Sequence, residues 1–153
     1  MEYGILTTRF TDETFLENIR WRQRNNDIGC IYAVKKPVSH ILNYDKDYFI
    51  LEMNNDKNVV MGVGIISIKL KQRNEQIYNN HYYNRYIYSG THYKCIYEND
   101  DYIIDKKDTF IELFETPLFR GKGHMKRGQS ITHYPFKKMT KKHIDFLKTL
   151  FDI

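Results

Sequence analysis

Apolar residues in this chain gather in short runs, and most of the runs have the length of strands. Glu2 to Thr8 predicts a first strand. Ile28 to Val34 (IGCIYAV) predicts a second of the buried type, stopped by Pro37 and followed by the irregular segment VSHILNYD. Asp47 to Met53 (DYFILEM) is the next. The turn Asn54-Asn55-Asp56-Lys57 joins it to Val59 to Leu70 (VVMGVGIISIKL), the clearest hairpin in the chain. Gly62 and Gly64 are two apart in that run and so share a face, which marks a tight bend, a bulge or the close approach of another backbone. Gln72 to Asn80 is polar and loop-like. Tyr82 to Tyr88 and Thr91 to Tyr97 then read as two tyrosine-rich strands of a hairpin about Ser89-Gly90, followed by Tyr102 to Asp105. Tyr82, Asn84, Tyr86 and Tyr88 fall on one face, as a cross-strand aromatic ladder or as a surface on which bases stack. Gln129 to His133 alternates as a last strand, closed by Pro135.

Helical spacing is confined to three places. Thr11 offers an N-cap hydroxyl with Asp12 and Glu13 in the first turn, predicting a helix to about Gln23. Phe15, Leu16 and Ile19 share one face of it. Trp21, the only tryptophan, falls nearly opposite, either folded over a second small cluster or presented as a stacking platform. Asp108 caps a short helix through Glu115 that Pro117 ends. Thr140 caps a final helix in which Ile144, Leu147, Leu150 and Phe151 bury one face while Lys141, Lys142 and Lys148 stay wet. The expected class is α+β: a small mixed, mostly antiparallel β-barrel of about five or six strands, with flanking helices near both ends. At 153 residues the chain, 1–153, is expected to form a single domain.

Composition narrows the class. A hydrophobic content of 41% with 15% aromatic is that of a folded domain. Cys30 and Cys95 lie in apolar runs and are expected to be reduced thiols, since two cysteines make neither a disulfide framework nor a zinc site. No signal pattern and no run approaching ~18 apolar residues is present, so the expectation is an intracellular protein, cytoplasmic or nuclear, with no membrane association. Abundant Ile, Lys, Asn and Tyr, all served by A/T-rich codons, suggest an AT-rich genome such as that of a virus or parasite.

Charge changes the picture most. Between Pro117 and His143 the basic residues are Arg120, Lys122, Lys126, Arg127, Lys137, Lys138, Lys141 and Lys142, with no acid among them. The formal net charge of the whole chain is +5, so the remainder is negative. Glu98 to Glu115 just before holds seven acids against two lysines. A molecule polarised in this way has one face that attracts polyanions. Gly121, Gly123 and Gly128 can let backbone N–H groups converge on an anion while Arg120, Lys122, His124, Lys126 and Arg127 supply donors and charge; the other reading is a solvated turn. Gly123 to Ser130 spells a near P-loop, but Gln129 stands where the phosphate-reaching lysine belongs and too little chain follows. His124 and His133 match no helical metal-ligand pair, and no metal or cofactor is expected.

Three stretches carry a family likeness. Asn18 to Asn26 (NIRWRQRNN), Asn58 to Ile68 (NVVMGVGIISI) and Arg127 to Leu150 resemble, in order, the R-N-Y-Q-A-R-N-N stretch, the G-I-V-G strand and the closing strand and helix of EVE domains, relatives of the PUA and YTH folds. Ser130, Pro135, Thr140 and Ile144 fall in step with the last. The chain lacks the usual V-G-D before the second strand, has arginines around Trp21, and carries a tyrosine-rich insert without counterpart. The resemblance implies a PUA-like barrel with an aromatic pocket that binds nucleic acid and, in some branches, reads a modified or flipped base. Trp21, Arg22 and Asn25 are the pocket residues it suggests. The expected function is therefore a non-enzymatic RNA- or DNA-binding module. Two other classes compete: an interaction module for an acidic protein, and an acetyltransferase-like coenzyme A binder suggested by Arg120-Gly121-Lys122-Gly123, disfavoured because a strand follows where that family has a helix.

Overall fold

The computed structural model describes residues 3–38, 42–43, 45–68, 75–96, 105–120 and 131–153. Seven strands are present among them: β1 (Tyr3–Phe10), β2 (Cys30–Val34), β3 (Asp47–Asn54), β4 (Val59–Ser67), β5 (Tyr86–Gly90), β6 (His92–Cys95) and β7 (Thr132–His133). The helices are α1 (Asp12–Arg24), α2 (Lys107–Phe110), a five-residue π-helical stretch (Ile111–Glu115), α3 (Thr116–Phe119) and α4 (Lys141–Leu150). Class and predominant strand direction are as expected, α+β and mostly antiparallel. The closed barrel is not formed: five strands make an open sheet in the order β6-β4-β3-β1-β7, and β2 pairs with β5 in a separate ribbon.

The sheet is covered on both faces. Ile5, Phe49, Leu51, Met53, Val60 and Val63 point to one side, against Phe110, Phe114, Leu118, Ile144 and Leu147. Leu6, Phe10, Tyr48, Ile50, Met61 and Ile66 point to the other, against Phe15, Trp21, Ile31 and Ile87 of α1 and the ribbon. Double coverage explains why β3 reads as a nearly unbroken apolar run. β1 and β3 are parallel neighbours, Tyr3 to Phe10 in register with Asp47 to Asn54, so a crossover is required. That crossover contains α1 and β2, which are held against one face. The β3–β4 hairpin is as predicted: Asn54 Oδ1 accepts from the N–H groups of Asp56 and Lys57 at 3.0 Å each, and Asn58 takes positive φ.

Other expectations are corrected. Tyr82 to Tyr88 is not one strand: His81–Asn84 is a 3₁₀ turn, and no tyrosine ladder forms between β5 and β6. β5 pairs with β2 and β6 with β4, so the chain changes sheets at Thr91 instead of reversing. Gly90 permits this, since a Cβ there would lie 1.7 Å from the Ile65 carbonyl oxygen. On α1 the buried residues are Phe15, Asn18, Trp21 and Arg22, while Leu16 is exposed. The helix is covered over a wider arc than one apolar stripe, and Trp21 lies inside it. β2 begins at Cys30, leaving Ile28 91% exposed.

Asp108 does not cap the middle helix, which begins at Lys107 after Lys106. Pro117 falls in the first turn of α3 and does not end the helix. Proline cannot donate to the carbonyl four residues back, that of Leu113. Tyr134 Oη donates to this carbonyl at 2.9 Å and His143 Nε2 lies 3.1 Å from it. The Thr140 cap holds as predicted, its N–H donating to His143 Nδ1 at 3.1 Å, which leaves Nε2 as the protonated nitrogen facing Leu113. Burial keeps His143 below the usual imidazole range, in keeping with this neutral tautomer. Cys30 is buried and Cys95 half-buried, and neither is in a disulfide. Tyr102 to Ile104 and Gln129 to Ser130, expected in strands, lie outside the described residues.

Candidate nucleic-acid interface

The basic run reaches the structure from both ends. Arg120 is exposed and extended at the end of α3. Lys122, His124, Lys126 and Arg127 lie outside the described residues. The stem before Arg120 is fastened to the sheet, because Glu115 Oε1 accepts from the N–H of Val60 at 3.1 Å. Burial pushes the Glu115 carboxyl above its ordinary value, against the pull of the Val60 N–H, Lys107 and Arg120. Lys138 Nζ donates to the Pro117 carbonyl at 3.0 Å, tying Lys138 to α3. Lys137, Lys141 and Lys142 are exposed on the same stretch, Lys141 paired with Asp145 at 3.2 Å.

The chain re-enters at Ile131, buried in the core, and runs along β1. Thr132 Oγ1 lies 3.1 Å from Thr7 Oγ1 and accepts from Arg9 Nη1 at 3.0 Å. Since β7 is antiparallel to β1, with Thr7 opposite Thr132, it is entered from the carboxyl end of β1. A cleft of about 240 Å³ opens at that same end. Its lining combines Arg9 and Lys35 with the hydroxyls of Thr8, Thr11 and Thr14, the Asn55 side chain, and the apolar or aromatic surfaces of Phe10, Ala33, Val34, Tyr78 and Tyr83. No carboxylate is among the described lining residues. Burial lowers the Arg9 pKa, yet a guanidinium retains its charge in such a setting. Tyr83 is 37% exposed at the rim, carried on the 3₁₀ turn. That turn is fixed to α1, where Asn79 N–H donates to Glu17 Oε2 at 2.6 Å and Asn18 Nδ2 donates to Tyr78 Oη at 3.0 Å.

The three residues expected at a base pocket are placed apart from this cleft. Trp21 is 4% exposed in the core and is not among the residues lining this cleft. Arg22 is buried, its Nη1 donating to the Gly29 carbonyl at 3.3 Å and its guanidinium 4.3 Å above the Tyr93 ring. Asn25 caps the end of α1, Nδ2 donating to the Trp21 carbonyl at 2.8 Å, and borders a separate groove beside Ile28 and Ser89–Thr91.

Arg22 instead belongs to a buried polar cluster centred on Glu52. The Glu52 carboxyl is fully buried and accepts from Tyr32 Oη and Tyr93 Oη at 2.8 Å each. Burial raises its pKa, opposed by Arg22 and the two phenols. Burial, with Glu52 nearby, likewise pushes the Cys30 thiol up to about 12. Gly62 and Gly64 make room for this cluster: a Cβ on Gly62 would lie 2.3 Å from Tyr93 Oη, and one on Gly64 2.6 Å from both Cys30 Sγ and Tyr32 Oη. The signals of the cluster in the sequence are an acid inside the apolar run DYFILEM and the glycine pair Gly62 and Gly64 in the next run. Arg9, Lys35 and Tyr83 give none, since each stands alone at the end of its own element.

No protein-family model matches the chain, and neither the curated proteins nor the solved structures include one similar to it at a significant level. Among the described residues no group of three His, Cys, Asp or Glu is placed to hold a metal ion, and no helix is long and apolar enough to cross a membrane.

Proposed function

We propose that this protein binds nucleic acid, holding backbone phosphates on the basic run that begins at Arg120 and extends through Lys142. The observation that carries the reading is the bond from Lys138 Nζ to the Pro117 carbonyl, which joins residues on either side of the centre of an acid-free run. Arg120, Lys137, Lys141 and Lys142 are exposed. Clustered cations of this kind supply salt-dependent, sequence-tolerant affinity through counterion release. The EVE-like stretches point toward the same partner, and on this reading the open sheet is a divergent relative of the PUA-like arrangement, with any base recognition moved away from Trp21.

The test is a salt titration of affinity for single-stranded and duplex RNA and DNA. Replacing Arg120, Lys122, Lys126 and Arg127 together by alanine should weaken binding across sequences and flatten the log–log salt slope by about 0.7 to 0.9 for each phosphate no longer neutralised. Absence of salt-sensitive binding by the wild type at low ionic strength would remove the proposal and leave an acidic protein as the partner to pursue.

A further inference from the structure

The cleft at the carboxyl end of β1 has a chemistry that the basic run does not share. Two cations, Arg9 and Lys35, stand with neutral hydroxyl and amide groups and with aromatic and aliphatic surface, and among the described residues no acid lines it. Two N–H groups at the start of α1 already have partners. The Asp12 N–H donates to Asp56 Oδ2 at 2.8 Å and the Thr14 N–H to Thr11 Oγ1 at 3.1 Å, so the positive groups are the side chains. Arg9 is positioned through Thr132, 123 residues away in sequence, and Tyr83 through the Tyr78 and Asn79 contacts with α1. Every wall of the cleft is therefore held by a packed element.

We propose that this cleft seats one nucleotide of a bound strand, its phosphate toward Arg9 and Lys35 and its ring system against Tyr83. An inorganic anion would engage the cations and leave the aromatic wall unused, whereas a neutral apolar ligand would use the wall and not the cations. A nucleotide uses both, because a flat ring stacks on tyrosine irrespective of base identity while the phosphate meets the guanidinium. The inference rests on the nucleic-acid reading above but names a different set of residues. Arg9 of the cleft is bonded to Thr132, five residues after Arg127 in the chain.

The experiment uses the full chain and three probes: adenosine 5′-monophosphate, adenosine and inorganic phosphate, followed by amide chemical shifts and calorimetry. The nucleotide should bind saturably, shifting Thr11, Ala33 and Val34, with adenosine and phosphate each weaker. Tyr83→Ala and Lys35→Glu, both at surface positions, should each weaken the nucleotide at least about fivefold, the lower end of what one stacked base contributes. The quadruple variant of the basic run should keep its mononucleotide affinity while losing salt-dependent affinity for a single-stranded oligonucleotide. Nucleotide binding that fails to saturate at millimolar concentration, that is indifferent to both cleft variants, or that phosphate alone matches would overturn the assignment. A wild type that binds the mononucleotide but no oligonucleotide would sink the basic-run reading and the bound strand with it, leaving the cleft as a site for a free nucleotide.

Discussion

Gly64→Ala isolates the packing of the ribbon on the sheet. Gly64 sits in ordinary strand conformation opposite Ile50, so alanine meets no dihedral objection. Elsewhere in a strand the change would stabilise by about 0.4 to 1 kcal/mol through the unfolded chain. Here the new methyl would lie 2.6 Å from Cys30 Sγ, 2.6 Å from Tyr32 Oη and 2.9 Å from Cys30 Cβ. None of these can retreat cheaply. Cys30 is buried on β2 and its thiol points at the Ile65 carbonyl at 3.7 Å, and Tyr32 is buried and bonded to Glu52. Overpacking of a closed core costs typically 1 to 3 kcal/mol, and loosening the Tyr32–Glu52 bond adds roughly 1 to 3 more, so the loss outweighs the gain. The expected net is about 1 to 6 kcal/mol, read as a lower denaturant midpoint with an unchanged slope. Cys30→Ala in the same background removes one of the obstructing atoms and should recover part of the loss. A Gly64→Ala variant as stable as the wild type would mean that β2 does not lie on this face of β4.

Trp21→Ala should cost about 3 to 5 kcal/mol, lowering Tm by roughly 6 to 20 °C, because the indole is buried in the core; oligonucleotide affinity measured well below the transition should keep its salt slope. A variant of undiminished Tm that loses affinity would restore the stacking role. Glu52 supplies a pH signature: burial raises its carboxyl pKa in the fold, so the unfolded chain releases the proton first. Its contribution is fully present below the unfolded value of about 4.3 and is lost as pH rises toward the folded value. The stability of the wild type relative to Glu52→Gln should therefore grow as pH falls toward the unfolded carboxyl value, and a difference that is flat or shrinks on acidification would contradict the assignment.

Parts of the fold governed by near neighbours are legible in the sequence. The β3–β4 hairpin rests on Asn54 bonding its own turn, and both terminal helices begin at threonine caps. The parts that are not legible depend on which distant element arrives. Ser89-Gly90-Thr91 looks like a reversal, but Gly90 is needed for close approach to Ile65 of β4, and nothing local distinguishes the two uses. Pro117 looks like a helix end because its missing N–H normally strands a carbonyl. Tyr134 and His143, 17 and 26 positions later, satisfy that carbonyl and let the chain turn on. Trp21 is buried for a similar reason, since the apolar face of α1 taken alone does not include β2.

The same division separates the two candidate binding features. Charge adds along a chain whatever the fold, so a run of eight cations without an acid is plain from the residue order itself. A cleft is a product of topology. Its cations come from the end of β1 and the end of β2, its rings from β1 and the segment before β5, and Arg9 is oriented by a threonine on β7. The parallel pairing of β1 with β3 demands a crossover, and that crossover delivers α1 and Lys35 to the one end of the sheet where β7 begins. An antiparallel barrel would have given these residues no reason to meet. Thus the departure from the expected architecture and the existence of the cleft have one cause, the direction of β1 relative to β3.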